Sequence, residues 1–322
     1  MESAPCPISG SAGFIPWLQV PDRFDAAGKE QWMLQRSSAS GLIMTNPRPD
    51  SSEIALHYHT GQYDPHLHAQ KHATIAERAY LAARSLLLRY RAGLILNECR
   101  KPLRQVRVLE IGCSTGDLLN CFHLKKGIPL KNLAGVEPEP EAADYARTVF
   151  ELKVYPSVSD AADKEMMFDR IVLWHTLEHI HAIHETLAYA AERLAPEGVL
   201  IIALPNPESY DARHYKENWI AWDAPRHLYH FVPDTLAKLL EMHNLSIFKR
   251  LPYFPDTLYN TLHSEKLRCK RDGMPFTVLR VGYALYRTAV DVGKGFFRPE
   301  KASSFIYYAK IKTLEAARQS AL

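Results

Sequence analysis

Val106-Arg-Val-Leu-Glu-Ile-Gly-Cys-Ser-Thr-Gly-Asp117, followed twenty-one residues after Gly116 by Glu137 in Ala134-Gly-Val-Glu-Pro138, decides the fold class of this chain. An apolar strand runs into a glycine-bearing turn and then a helix, and a second short strand ends in an acid. Glycine lets the backbone turn tightly and come close to a ligand. The helix that follows offers unpaired N–H groups at its start, and an acid at the tip of the next parallel strand is placed to accept hydrogen bonds from both hydroxyls of a ribose. A bound nucleoside is therefore expected.

The glycine spacing narrows which nucleoside. A dinucleotide fold uses G-x-G-x-x-G, whereas the pattern after Glu110 is G-x-S-x-G. That string also occurs at the nucleophile elbow of α/β-hydrolases. A hydrolase would need later acid and histidine partners, and it leaves Glu110 and Glu137 without a role. The segment resembles instead the E/D-x-G-x-G-x-G loop of class I S-adenosylmethionine-dependent methyltransferases, with Ser114 where the middle glycine usually stands.

Around this motif, strands and helices alternate: strand Val106–Ile111, helix Asp117–Lys126, strand Leu133–Glu137, helix Glu139–Phe150, strand Phe168–Trp174, helix Ile183–Leu194, strand Val199–Leu204, helix Thr235–His243, and strands Leu245–Tyr253 and Ser304–Ile311. Such alternation predicts a parallel sheet covered on both faces, with ligands at the carboxyl ends of its strands. Residues 71–98, with Leu86, Leu87, Leu88, Leu94 and Ile95 at helical intervals, predict a long amphipathic helix leading into that domain. Residues 1 to about 70, rich in Pro, Gly, Ser and His, read as an irregular extension, so the chain divides into 1–70 and 71–322. An insertion at about 255–303 contains the apolar stretch Phe276–Val292. It reads as a lid or packing helix, with a homodimer or membrane-surface contact through 276–292 as the alternative.

Composition sets outer limits. With 322 residues, 47% hydrophobic and 23% charged, the chain is an ordinary globular protein. A net charge of +3 without a long basic run argues against nucleic acid as a partner. Five scattered cysteines, Cys6, Cys99, Cys113, Cys121 and Cys269, predict free thiols and a cytoplasmic location. No run reaches the roughly 18 apolar residues of a membrane span.

Three further segments carry chemistry. Asp169-Arg-Ile-Val-Leu-Trp174 leads into His175-Thr-Leu-Glu-His179, which resembles the fourth-strand motif of the same methyltransferases and would border the sulfonium and the acceptor. It also spells H-x-x-E-H, a zinc-peptidase signature. That chemistry needs His175 and His179 one helical turn apart, Glu178 at the metal-bound water and a third ligand from elsewhere; capping or packing by these histidines is the plainer role. Ala195-Pro-Glu-Gly-Val-Leu-Ile-Ile-Ala-Leu-Pro-Asn206 resembles the fifth strand of the group and would set Asn206 at the mouth of the cleft, unless Pro-Asn-Pro is merely a turn. Trp219-Ile-Ala-Trp222-Asp-Ala-Pro-Arg226-His227-Leu-Tyr-His230-Phe231 is similar to the W…D-x-P-R-H-L-x-H-F segment of the bacterial "methyltransferase domain 23" type. Trp219 and Trp222 offer aromatic walls, Arg226 a bidentate grip on a carboxylate or phosphate, and His227 a base. Holding the loop together is the competing role for Arg226 and His227.

Near the N-terminus, Cys6-Pro-Ile-Ser9-Gly10 and Ser37-Ser-Ala-Ser40-Gly41 resemble two zinc knuckles in which three of four thiolate positions are serine. One thiolate does not hold a tetrahedral structural zinc, so a metal-free remnant is expected, and no metal is expected anywhere in the chain. Tyr58 and Tyr63 resemble the family's tyrosines that fold over the cofactor's methionine carboxylate; simple aromatic packing is the alternative.

Together the resemblance implies an α/β, Rossmann-like, doubly wound sheet of seven strands, mostly parallel with an antiparallel last strand. S-adenosylmethionine would be the cofactor. Gly112, Ser114 and Gly116 would approach it, Glu110 would lie near its amino group, Glu137 on its ribose, and Ser157 beside the adenine at a position where many relatives carry an acid. The expected reaction is O-methylation of a small-molecule acceptor (a sugar, quinone or polyketide-like compound), with His227 the favoured base and His175 or His179 the second choice. A non-catalytic cofactor-binding or assembly protein of the same fold is the alternative.

Overall fold

The computed structural model describes residues 1–25, 30–58, 75–161 and 166–312, with only the backbone described over 75–80. Strands β1 (Phe14–Pro21), β2 (Gln31–Ser37) and β3 (Ile43–Thr45) precede helix α1 (Ile75–Ile95). The alternating region follows as β4 (Val108–Ile111), α2 (Asp117–Lys126), β5 (Leu133–Val136), α3 (Pro140–Phe150), β6 (Lys153–Tyr155), β7 (Phe168–Trp174), α4 (Ile183–Arg193) and β8 (Leu194–Pro205). The chain continues through α5 (Tyr210–Tyr215), β9 (Tyr229–His230), α6 (Pro233–Glu241), β10 (Leu245–Pro252), α7 (Pro255–Arg271), α8 (Val278–Phe297) and β11 (Ser304–Ile311).

The main sheet has the order β10-β11-β8-β7-β4-β5-β6. β4 pairs in parallel with β5 and β7, and β5 in parallel with β6. The fold is thus the expected α/β, Rossmann-like one: seven strands, mostly parallel, with antiparallel pairing present. Strand order reverses between β4 and β7, the switch point beside which such sheets bind ligands. β4 and β7 are buried along their whole length, as central parallel strands must be.

The chain forms two compact units. One comprises Met1–Gln62, His175–His184 and Ile202–Tyr308; the other Tyr63–Trp174, Glu185–Ile201 and Ala309–Leu322. The first corrects the expected irregular N-terminal extension. Residues 14–45 build a second, antiparallel sheet, β1-β2-β3-β9, whose last strand comes from Tyr229–His230. Its core joins Val20, Trp32, Leu34 and Ile43 to Tyr215, Trp219 and Trp222.

The 255–303 insertion is a pair of helices, α7 and α8, where the apolar stretch had suggested one. α8 leaves Val278, Leu279, Phe296 and Phe297 exposed. Among the described residues no helix is long and apolar enough to cross a membrane.

Candidate functional site

The nucleoside motif folds into one loop of the second unit. Gly116 caps α2 with φ +78°, and a Cβ there would meet Leu152 Cδ1 at 2.5 Å, so only glycine closes the turn. Ser114 also lies in the left-handed region, at φ +48°, which costs a side-chain-bearing residue about 1 kcal/mol. Its main-chain N–H donates to Glu137 Oε2 at 2.8 Å, while Glu137 Oε1 accepts from the Glu139 N–H at 2.9 Å. A carboxylate oxygen has two lone pairs, so an acid fixed in this way is of the kind that can also accept from a hydroxyl. Below the loop, Glu110 is buried and its Oε2 has no hydrogen-bond partner. Burial, reinforced by Asp117 and Glu137, holds its carboxyl well above the usual carboxylate range. A buried acid with an unpaired oxygen fits a cationic group, and a fixed carboxylate at a strand tip fits a ribose diol, so these residues suit S-adenosylmethionine. Asp117 is held by Arg84 at 2.9 Å.

Two residues that matter here carried no recognised motif signal. Gly135 in β5 lies under Cys113, and a Cβ at 135 would collide with the Cys113 side chain and come within 3.3 Å of Leu119 Cδ1. Its absence lets the loop settle onto the strand. Asp160 supplies an acid where position 157 lacks one: the Ser157 hydroxyl donates to Asp160 Oδ2 at 2.6 Å.

The remaining candidates lie in the first unit. β7 leads directly into His175, whose φ of +51° turns the chain sharply. His175 Nε2 meets Asp256 Oδ2 at 2.8 Å, and its Nδ1 lies 3.5 Å from Glu178 Oε1. Burial would lower its pKa, but the two carboxylates outweigh that and lift it to about 9. His175 is therefore a cation at neutral pH. Leu177–His179 is a single 3₁₀ turn, so His175 and His179 do not share a helical face. The H-x-x-E-H arrangement of a zinc peptidase is accordingly absent, because both His175 nitrogens are committed to carboxylates.

His179 and His227 do come together, with ring centroids 4.5 Å apart and planes nearly perpendicular. His227 Nδ1 lies 2.8 Å from the Ala221 carbonyl oxygen. His179 Nδ1 lies 3.1 Å from the Arg226 carbonyl oxygen and 2.8 Å from the Tyr58 hydroxyl. A carbonyl only accepts, so in His227 the proton belongs on Nδ1 and the lone pair on Nε2, 3.9 Å from Asp223 Oδ2, whereas His179 Nδ1 is shared by a carbonyl that accepts and a hydroxyl that either donates or accepts. Burial, together with the neighbouring His179 and His230, pushes His227 well below its ordinary pKa, and burial lowers His179 as well. Both rings are neutral at pH 7. Tyr58 thus bonds to a histidine, and Tyr63 lies outside the described residues.

The four residues expected to touch the acceptor are all internally engaged. Arg226 is fully buried; its Nη2 donates to Asp22 Oδ1 at 2.7 Å and its Nε to Asp223 Oδ1 at 2.8 Å. Trp219 donates to Asp211 at 2.8 Å and Trp222 to the Lys216 carbonyl at 2.7 Å. Burying about 200 Å² of each indole contributes on the order of 5 kcal/mol to the core. The Asn206 amide nitrogen donates to the Ala302 and Glu300 carbonyls, and its oxygen accepts from the Glu208 N–H. Their contacts are those of a loop and a core being held in place.

The zinc-knuckle positions also converge. Cys6 Sγ lies 3.1 Å from Ser40 Oγ, and the Ser9 and Ser37 hydroxyls complete its surroundings. Burial would raise the thiol's pKa, but these hydroxyls outweigh it and hold Cys6 below its ordinary value.

The family described as "Methyltransferase domain" matches residues 70–249. Solved structures similar to this chain include geranyl diphosphate C-methyltransferase from Streptomyces coelicolor, at 13% identity over 77% of this chain and 90% of that one, with a TM-score of 0.49. Magnesium protoporphyrin IX methyltransferase from Synechocystis is similar at 11% identity over 75% and 89%, with a TM-score of 0.44. A cyclopropane synthase from Mycobacterium tuberculosis is similar at 15% identity over 74% and 86%, again with a TM-score of 0.44. No curated protein matches the sequence.

Proposed function

Because the chain belongs to this S-adenosylmethionine-dependent methyltransferase family, we propose that it transfers the cofactor's methyl group to an oxygen of a small metabolite, such as a sugar, quinone or polyketide-like compound. The observation that carries this is the setting of His227, whose Nδ1 proton is held by the Ala221 carbonyl and whose Nε2 lies 3.9 Å from Asp223 Oδ2, with burial lowering its pKa. The sulfonium is already an activated donor, so alignment of the acceptor and removal of its proton dominate the catalytic demand. A hydroxyl must lose its proton as the new bond forms, and a neutral imidazole suits that task. His179, whose ring lies 4.5 Å from that of His227, is the second candidate base. His175, cationic below about pH 9, is unsuited to accept a proton and would orient or hold an anionic oxygen.

On the donor side, Glu137 would take the ribose hydroxyls, Glu110 the cofactor's amino group, and the backbone at Gly112, Ser114 and Gly116 its close approach. The presence of Glu110, Gly112, Gly116 and Glu137 together supports an enzyme over a non-catalytic binding protein. Calorimetric titration with S-adenosylmethionine tests the donor side, since absence of binding at high micromolar cofactor would overturn it. On the acceptor side, a screen of hydroxyl compounds with labelled cofactor should find turnover that His227→Ala lowers by roughly 10²- to 10⁴-fold at unchanged cofactor affinity. Unchanged turnover would remove His227 from the base role.

A further inference from the structure

Glu178 is 1% exposed, and among the described residues neither carboxylate oxygen has a hydrogen-bond partner. Among the described residues its ionic neighbour is His175 Nδ1, at 3.5 Å, and that imidazole's other nitrogen is bonded to Asp256. The His175 cation thus serves two carboxylates at once, at 3.5 Å from Glu178 and 2.8 Å from Asp256, so the buried Glu178 charge is only partly compensated and a further positive centre would stabilise it. On its other side stand His179 and His227, and one ligand-capable atom from each of the three residues lies within 4.8 Å of the other two.

Ala221 O holds the His227 proton on Nδ1, so the lone pair lies on Nε2, 3.9 Å from Asp223 Oδ2, and in His179 both Arg226 O and the Tyr58 hydroxyl engage Nδ1, which leaves Nε2 as the nitrogen a cation would take. A backbone carbonyl on the far nitrogen is the arrangement by which proteins orient metal-bound imidazoles and raise their basicity.

From this geometry we propose that Glu178, His179 and His227 form a binding site for a single divalent transition cation of the Zn²⁺ class. Two imidazole nitrogens and one carboxylate suit such a borderline cation better than Mg²⁺ or Ca²⁺, which take mainly oxygen. Three protein ligands leave a coordination position open for water or an acceptor oxygen. Bonds of about 2.0–2.1 Å would draw the ligand atoms inward by about 1 Å or less, a displacement that side-chain rotation supplies. Asp22, Glu30 and His57 also cluster, but the Arg226 guanidinium already occupies Asp22, so a second cation is disfavoured there. The site does not rest on methyl transfer to oxygen. It does share the His227 lone pair with that reaction, so a bound cation and a proton exclude one another at Nε2.

The test is metal binding by the chelator-treated full chain, titrated with Zn²⁺ by calorimetry and with Co²⁺ by its visible absorption. One equivalent is expected, with a four- or five-coordinate Co²⁺ spectrum. Glu178→Gln and His227→Ala should each weaken binding at least tenfold, while His57→Ala should leave it unchanged. Should either variant fail to fold, nitrogen NMR of the unaltered, histidine-labelled chain replaces it: Zn²⁺ should shift the Nε2 resonances of two histidines. Absence of stoichiometric binding, binding that survives loss of His227, or loss of binding on His57→Ala would overturn the site. None of these readouts uses turnover, so their failure is separable from failure of the methyltransferase assignment to oxygen.

Discussion

Ser114, the one residue that departs from the glycine pattern of the cofactor loop, holds Glu137 in place: its main-chain N–H donates to Glu137 Oε2 at 2.8 Å. The contact needs the backbone alone. A serine is therefore tolerated at the cost of a left-handed φ.

Glu137→Gln should weaken S-adenosylmethionine binding by roughly 10- to 100-fold, since hydrogen bonds to a charged group contribute about 1.5–3 kcal/mol. Ser114→Gly keeps the N–H and should change affinity by less than about threefold while removing a conformational cost of about 1 kcal/mol. Calorimetry on both variants checks this. Equal losses would mean that the serine hydroxyl, not the backbone, governs the site.

Arg226→Ala should lower stability by about 3–5 kcal/mol, because it strands the buried Asp22 and Asp223 carboxylates. Arg226→Lys should recover little of that loss, as an ammonium does not span both acids as the guanidinium fork does. Urea unfolding measures the cost. A variant of normal stability with impaired acceptor KM would return Arg226 to the role of substrate anchor.

Stability should be greatest near pH 6.5 and fall on both sides, on the alkaline side until about pH 9. His175 is raised to about 9 in the folded chain, so its contribution is complete below the unfolded value of about 6.5 and is lost as pH rises through 9. Discounted for the partial exposure of its ring, that contribution is on the order of 2 kcal/mol. His179, His227 and His230 are lowered, His230 to about 3; their contribution is present above about 6.5 and is lost as pH falls below it. Thermal unfolding across pH reads both limbs, and Asp256→Asn should flatten the alkaline one.

Replacing Ser9, Ser37 and Ser40 together by cysteine should create a tetrathiolate zinc site with Cys6, since their hydroxyls already surround its sulfur. The triple variant should bind one zinc more than the unaltered chain and unfold several degrees higher, structural zinc adding directly to folding free energy. An unchanged stoichiometry would show that the knuckle backbone no longer matches the metal.

Much of the sheet was legible because its signals are local. β4, α2, β5 and β7 each announce themselves within about ten residues, and the structure moves their ends by no more than two. β6 escaped because three residues show no periodicity. The N-terminal sheet escaped for a different reason: β3 pairs with Tyr229–His230, some 185 residues away, and β1 carries Pro16 and Pro21, which read as loop. The segment Trp219–Phe231 misled through its chemistry. Trp, Arg and His are what a small-molecule site uses, and they are also what a polar, fully bonded core uses. Only the partners Asp22, Asp211 and Lys216 separate the two, and Asp22 is remote in sequence.

The fit of Cys113 over Gly135 turns this thiol into a natural reporter. Its sulfur is sealed beneath the turn and its pKa is driven well upward by burial, so an alkylating reagent reaches it only when the turn lifts away from the strand. The labelling rate of one native cysteine would then count those openings without any engineered probe. Ligands that clamp the turn should slow that clock in proportion to how tightly they hold it.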